Sequence, residues 1–197
     1  MAVSRVCPRS FVPTVWRVVA LDTPRVRRRC PGCDAQRSFR SSDKFRVNAH
    51  QRRLDVWLIY RCERCDATWN RAVRERVSPR ALDPDAHRAY MANDRDAVWA
   101  CAFDLVGLRQ LGAVVDAAVP VRVHRDVLPD KPFRVRFELD HPCELRLDRL
   151  VAQELEVSRG ALSRLIARGD VRVEAPSQRA WRRPVRKEVT VIVTPSG

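Results

Sequence analysis

Residues 30–65 read CPGCDAQRSFRSSDKFRVNAHQRRLDVWLIYRCERC, and this stretch sets the expected fold. It opens on Cys30-Pro-Gly-Cys33 and closes on Cys62-Glu-Arg-Cys65, two Cys-x-x-Cys pairs separated by 28 residues. A Cys-x-x-Cys turn aims two thiolates at one point, and two such turns supply the four sulfurs of a closed tetrahedral zinc site. Cys30, Cys33, Cys62 and Cys65 are therefore the expected ligands of one structural Zn2+. A redox dithiol would need only one pair, and a disulfide framework belongs to exported chains. Four thiolates leave no coordination position for water or substrate, so the expected role of the metal is scaffolding.

Between the pairs, Phe39 to Val47 runs toward a turn expected at Asn48–Arg53. Leu54, Val56 and Leu58 then alternate with Asp55, Trp57 and Ile59. A strand, a turn and a strand returning to the metal make a zinc ribbon. The separation exceeds the commoner spacing of about 15–20 residues, and Asp34 and Asp66 stand where ribbons often carry Gly. His50 falls in the expected turn and reads as an exposed histidine, not a fifth donor. Cys7, Cys101 and Cys143 have no partner spacing; Cys101 lies in an apolar helical pattern and reads as core.

Downstream, Asp83-Pro84 starts a helix expected to run through Tyr90, and Asn93 is expected to cap a second, helped by Asp96. Trp99, Phe103 and Val106 fall on one face and read as core, with Gly107 as the terminator. Val119, Val121 and Val123 then form one half-buried strand, and Phe133, Val135, Phe137 and Leu139 another. Nothing between residues 71 and 140 suggests chemistry.

The second informative stretch is 145–173. Leu147, Leu150, Val151 and Leu155 share a helix face. Ser158 can cap a further helix that turns Ala161, Leu162, Leu165 and Ile166 inward. Arg168 and Gly169 suit its end, Val171 and Val173 open a strand, and Val189, Val191 and Val193 alternate in a last one. Arg146-Leu147-Asp148-Arg149-Leu150, Ser158-Arg159, Leu165-Ile166, Arg168-Gly169 and Val171-Arg172-Val173 together resemble the small RNA-binding module named after small-subunit ribosomal protein four. The resemblance implies a basic helical surface gripping structured RNA. The positions it carries over are Arg146, Arg149, Ser158, Arg159, Arg164, Arg168 and Arg172. The chain departs from that module at Glu174-Ala175, where an Asn-Gly turn is usual.

Phe45-Arg46-Val47-Asn48-Ala49 and the run from Leu54 through Tyr60-Arg61-Cys62-Glu63-Arg64-Cys65-Asp66-Ala67-Thr68-Trp69-Asn70 resemble a bacterial family catalogued only as a domain of unknown function. That likeness implies a ribbon but no activity.

Charge supports a polyanionic partner. The net charge is +14. Residues 1–70 hold 15 basic and 6 acidic side chains, 71–140 hold 12 and 11, and 141–197 hold 11 and 7. The field sits at the two ends. With 35 Arg and 3 Lys, it is the excess of charge, not the choice of Arg, that is informative. The apolar run Phe11–Leu21 is broken by Pro13 and Arg17, so no secretory signal is expected, and no run suits a membrane helix. The sequence holds no Gly-x-Ser-x-Gly elbow, phosphate-binding glycine loop or His-Glu-x-x-His run. A lone catalytic thiol such as Cys143 near His141 is more often a buried cysteine.

The expectation is an α+β, cytoplasmic, non-membrane protein. It has a flexible N-terminus (1–13), a zinc ribbon (14–72), a mixed α/β middle (73–142) and an RNA-binding-type helix pair with strands (143–197). The expected function is non-catalytic RNA binding, to structured ribosomal or transfer RNA. The alternative is a protein-interaction or transcription-associated ribbon, with Trp57 as the anchor for a protein partner. An enzyme whose catalytic groups lie far apart in sequence is a third class.

Overall fold

Strands in which every second residue is apolar bury one face and leave the other to solvent, and this rule builds both sheets of the molecule. The computed structural model describes residues 11–50, 52–175, 177–185 and 189–194; Cys7 lies outside them. The described residues form a mixed α+β chain of ten strands and five α-helices. In chain order the first strands are β1 (Val12–Ala20), β2 (Arg25–Cys30), β3 (Ala35–His50), β4 (Arg53–Cys62) and β5 (Thr68–Val77). Three helices follow, α1 (Pro84–Ala92), α2 (Arg95–Ala102) and α3 (Leu105–Gln110), then β6 (Val114–Asp116), β7 (Val121–His124) and β8 (Phe133–Leu139). The chain continues with α4 (Leu147–Glu154), α5 (Arg159–Arg168), β9 (Val171–Glu174), a 3-10 turn over Gln178–Arg182, and β10 (Thr190–Val193). No helix among the described residues is long and apolar enough to cross a membrane.

Two compact units result. Leu21–Val119 forms one; β1 joins the chain from Pro120 onward to form the other. The three consecutive segments expected from the sequence are therefore distributed differently. The helices α1 to α3 and β6 of the expected middle belong with the cysteine-bearing strands, because β6 pairs with β2 through Val115 and Val26. The remaining strands of that middle, β7 and β8, flank β1.

In the Leu21–Val119 unit the sheet order is β5-β4-β3-β2-β6, antiparallel throughout. Val26, Phe39, Phe45, Val56, Leu58 and Tyr60 are buried, as are Val98, Trp99 and Leu108 of the helices. Each such side chain contributes ~1.5–3 kcal/mol on burial. The hairpin turn is tighter than expected: strand pairing continues to His50 and Arg53, so Asn48 and His50 are strand residues. Capping also differs. Asn93 takes a left-handed conformation (φ 53°) and ends α1, while the Asp94 side chain accepts from Ala97 N and starts α2. Gly107 lies inside α3, whose cap is Asp104, and Val106 points to solvent instead of completing the stripe of Trp99 and Phe103. In each case an Asp supplies an acceptor that competes successfully for the helix start.

The second unit has the order β7-β1-β8-β10-β9, with β1 and β8 parallel. Residues 11–13, expected in a flexible terminus, pair with or precede this sheet, and Trp16 is fully buried at its centre against Phe137. The broken apolar run at Phe11–Leu21 is thus a strand: Trp16, Val18 and Ala20 face inward, and Arg17 faces out. Leu147, Leu150 and Val151 of α4 and Leu162 of α5 are buried with Trp181. Ser158 caps α5 and Gly169 (φ 82°) closes it, as the sequence suggests.

Candidate metal centre and basic cleft

The two Cys-x-x-Cys turns meet because β3 pairs with β4 from Phe39 opposite Cys62 to His50 opposite Arg53, around an irregularity between Ser41 and Phe45. Cys30 at the end of β2 lies opposite Ala35. The sulfurs of Cys30, Cys33, Cys62 and Cys65 all lie within 4.8 Å of one another and could hold one metal ion. Cys30 Sγ is 3.5 Å from Cys65 Sγ, and Cys33 Sγ is 4.0 Å from Cys62 Sγ. Among the described residues no other side chain joins them in the cluster; His50 closes the far end of the hairpin opposite Arg53.

Local chemistry holds the turns. Asp34 and Asp66 follow the knuckles with φ 48° and 60°, the left-handed region where Asp is among the residues tolerated. Each is ion-paired to the strand that leads into its knuckle, Asp34 with Arg29 at 2.5 Å and Asp66 with Arg61 at 2.6 Å. Gly32 has its own reason: a Cβ there would stand 3.1 Å from Cys65 Sγ. Burial opposes ionisation of Cys62, but the backbone amides of Cys65 and Arg64 and the neighbouring thiols outweigh it and bring the thiol down to about 7. Cys30 is pushed the other way, chiefly by burial. Cys65 is raised as well: the Ala67 amide lowers it, and the Cys33 and Cys62 thiols together with burial outweigh that.

The other cysteines differ. Cys143 is buried, and desolvation with the nearby Asp140 charge pushes its thiol up to about 11, so it is protonated at neutral pH. Cys101 is half-buried on α2, and burial raises its thiol too.

The seven positions carried over from the RNA-binding module divide into groups. Arg146 precedes α4 and Arg159 opens α5; both face Asp148, at 2.6 and 3.7 Å. They line a cleft of about 860 Å³ together with Trp181 and Arg182. Ser158 is occupied as the α5 cap. Arg164 and Arg168 lie one turn apart on another side of α5, where Arg168 pairs with Asp170 at 2.7 Å. Arg149 is exposed on α4 and Arg172 on β9. Arg182 was missed by the sequence reading: it sits in a 3-10 turn of the segment where the resemblance breaks down, and only pairing of Arg146 with Pro184 brings that segment to α4.

Residues 47–177 match the family described as "Protein of unknown function (DUF1062)". The second knuckle and the cleft residues Arg146, Asp148 and Arg159 fall within that span, whereas Cys30 and Cys33 precede it and Trp181 and Arg182 follow it. No curated protein and no solved structure matches the chain. With more than half of its length covered, the chain belongs to the DUF1062 family.

Proposed function

We propose that this is a cytoplasmic, non-catalytic, zinc-containing RNA-binding protein that contacts structured ribosomal or transfer RNA. The observation that carries this reading is the convergence of Arg146, Arg159 and Arg182 on a cleft holding one carboxylate, Asp148. Three guanidiniums against one carboxylate leave positive charge uncompensated, beside the N-terminus of the ten-residue helix α5. Backbone amides and Arg side chains in that setting suit phosphates, and folded RNA is recognised largely by shape and backbone. The net charge of +14 adds long-range attraction.

Zinc is the metal we assign to the four cysteines. A tetrahedron with Zn–S bonds of ~2.3 Å has sulfurs about 3.8 Å apart, close to the 3.5 and 4.0 Å separations found here. An all-thiolate set of soft donors also favours borderline-soft zinc over hard magnesium or calcium. In this reading the ion ties the ends of β2 and β4 and takes no part in chemistry. The second reading, a protein-interaction ribbon, draws on Trp57. It is half-buried and shares the sheet's outer face with Ile59, under Arg46 at 6.0 Å.

The test is binding of the zinc-loaded full chain to folded RNA and to matched duplex DNA across a salt series, with Arg159→Glu/Arg182→Glu alongside. RNA should bind more tightly than DNA. The variant should lose most of that affinity and flatten the log–log salt slope by roughly 0.7–0.9 per phosphate contact removed. Equal binding of both nucleic acids with an unchanged variant would sink the RNA reading and favour a protein partner at Trp57.

A further inference from the structure

The inner face of the sheet in the Leu21–Val119 unit holds a buried cation that neither the metal centre nor the basic cleft uses. Arg71 lies on β5 opposite Leu58, facing the helices, with 5% of its surface exposed. Its Nη2 pairs with the Asp104 carboxylate. The same carboxylate accepts from Gly107 N at 2.9 Å and so caps α3. Gly107 makes room for this pair, since a Cβ there would stand 2.9 Å from Arg71 Nη2. The guanidinium is therefore held by Asp104 at Nη2, yet its Nε is buried with no hydrogen-bond partner. The hydroxyl of Tyr60, on the same inner face of β4, is likewise buried and unpartnered. Native proteins rarely leave such groups unsatisfied, and the Arg71 Nε, on a residue that lines a cleft, calls for a missing acceptor.

Arg71 and Asp104 line a cleft of about 560 Å³, with Tyr90, Ala97, Ala100 and Cys101 also on its wall. That volume suits a small organic molecule. Small side chains on α2 keep it open, and Leu111 adds apolar surface beyond α3. Charge narrows the class of ligand. Arg71 and Arg74 on the wall are balanced by Asp104 and Glu75. A dianion would bring its second charge close to two carboxylates, whereas a single carboxylate needs only the unused side of Arg71. We propose that this cleft binds a small organic monocarboxylate. One carboxylate oxygen accepts from Arg71, and the apolar body rests on Ala97, Ala100 and Leu111.

The thiol of Cys101 makes the site measurable in the zinc-loaded full chain. Iodoacetate and iodoacetamide both alkylate a thiolate: sulfur displaces iodide from carbon, and the thiol proton passes to solvent. Only iodoacetate carries the carboxylate. Burial holds the Cys101 thiol above its usual range, so labelling is run at alkaline pH and read by mass spectrometry at Cys101. The rate ratio of iodoacetate to iodoacetamide, relative to the same ratio for glutathione, should be raised about tenfold, the scale of one charge-assisted hydrogen bond. Butyrate should protect Cys101, and inorganic phosphate should not. Arg71→Gln should abolish the preference. Ala100→Leu should abolish it as well by filling the cleft; Ala100 is exposed on α2 and Leu is a good helix former, so the fold is retained. A Cys101 ratio equal to that of glutathione would overturn the proposal, as would a preference that survives Ala100→Leu. Protection by phosphate equal to that by butyrate would overturn the assignment to a monocarboxylate.

Discussion

The two five-stranded sheets of this chain are assembled in opposite ways. In the Leu21–Val119 unit, β2, β3, β4 and β5 pair with their neighbours in sequence, and only β6 returns from a distance. In the other unit, β1 pairs in parallel with β8, and all of Leu21–Val119 lies in the chain between them. The first sheet is a set of local hairpins closed at one end by four cysteines. The second depends on contacts of long sequence separation, which recover their loop-closure entropy only once the core has formed. What holds a sheet together thus differs with the distance its strands must travel: a four-cysteine cluster and tight turns in one, a buried tryptophan and parallel pairing in the other.

The largest way to break this contrast is to remove the zinc that we assign to the four cysteines. Structural zinc in small domains contributes apparent binding free energies of ~10–16 kcal/mol near neutral pH. Chelation should therefore abolish hydrogen-exchange protection in β2–β4 near the knuckles while β8 and β10 keep theirs. Loss of protection in both sheets alike would show that the contrast is false. Acid should act in the same direction as chelation. In the metal-free protein the Cys62 thiol is depressed to about 7 from an ordinary 9.0. Its contribution to stability is fully present above the unfolded value and is lost as pH falls through about 7.

Next in size is Trp16→Ala. This residue is fully buried at the centre of the second sheet, and deleting a buried aromatic of its size costs ~3–5 kcal/mol. Denaturant unfolding should show that loss in the unit containing β1, and metal affinity should be unchanged. A coupled fall in metal affinity would show that the two units do not stand on separate supports. The finest comparison uses one helix cap from each unit. Asp94→Ala and Ser158→Ala each remove a side-chain acceptor, from Ala97 N and Ala161 N, and each should cost ~1 kcal/mol in thermal unfolding. A change near zero for either would mean that water replaces that cap.

Legibility followed the same division. The hairpin of β3 and β4 could be read because alternation and the cysteine spacing agree, and the structure differs there in a tighter turn at His50 and Arg53 and in a register shift between Ser41 and Phe45. The α5 helix was equally legible, from Ser158 to Gly169. The role of Phe11–Ala20 was not, because Pro13 and Arg17 break the apolar run while a strand needs only every second residue inward. Asn93 and Asp94 are both good cap residues, and neighbouring residues in sequence do not reveal which one starts the helix. The basic cleft was half legible: Arg146 and Arg159 lie on helices with clear patterns, but Arg182 arrives on an irregular segment.

By itself, then, the sequence determined the four-cysteine cluster, the main hairpin, the capped helix α5 and the charge excess. These depend on residue type and spacing within one or two turns or strands. Tertiary structure alone decided that β1 runs parallel to β8, that α1 to α3 cover the cysteine-bearing sheet, and that a buried Arg71 pairs with an exposed Asp104 beside an open cleft. Those arrangements are selected by which apolar faces bury each other and which ions must then be paired, and no local pattern carries that information.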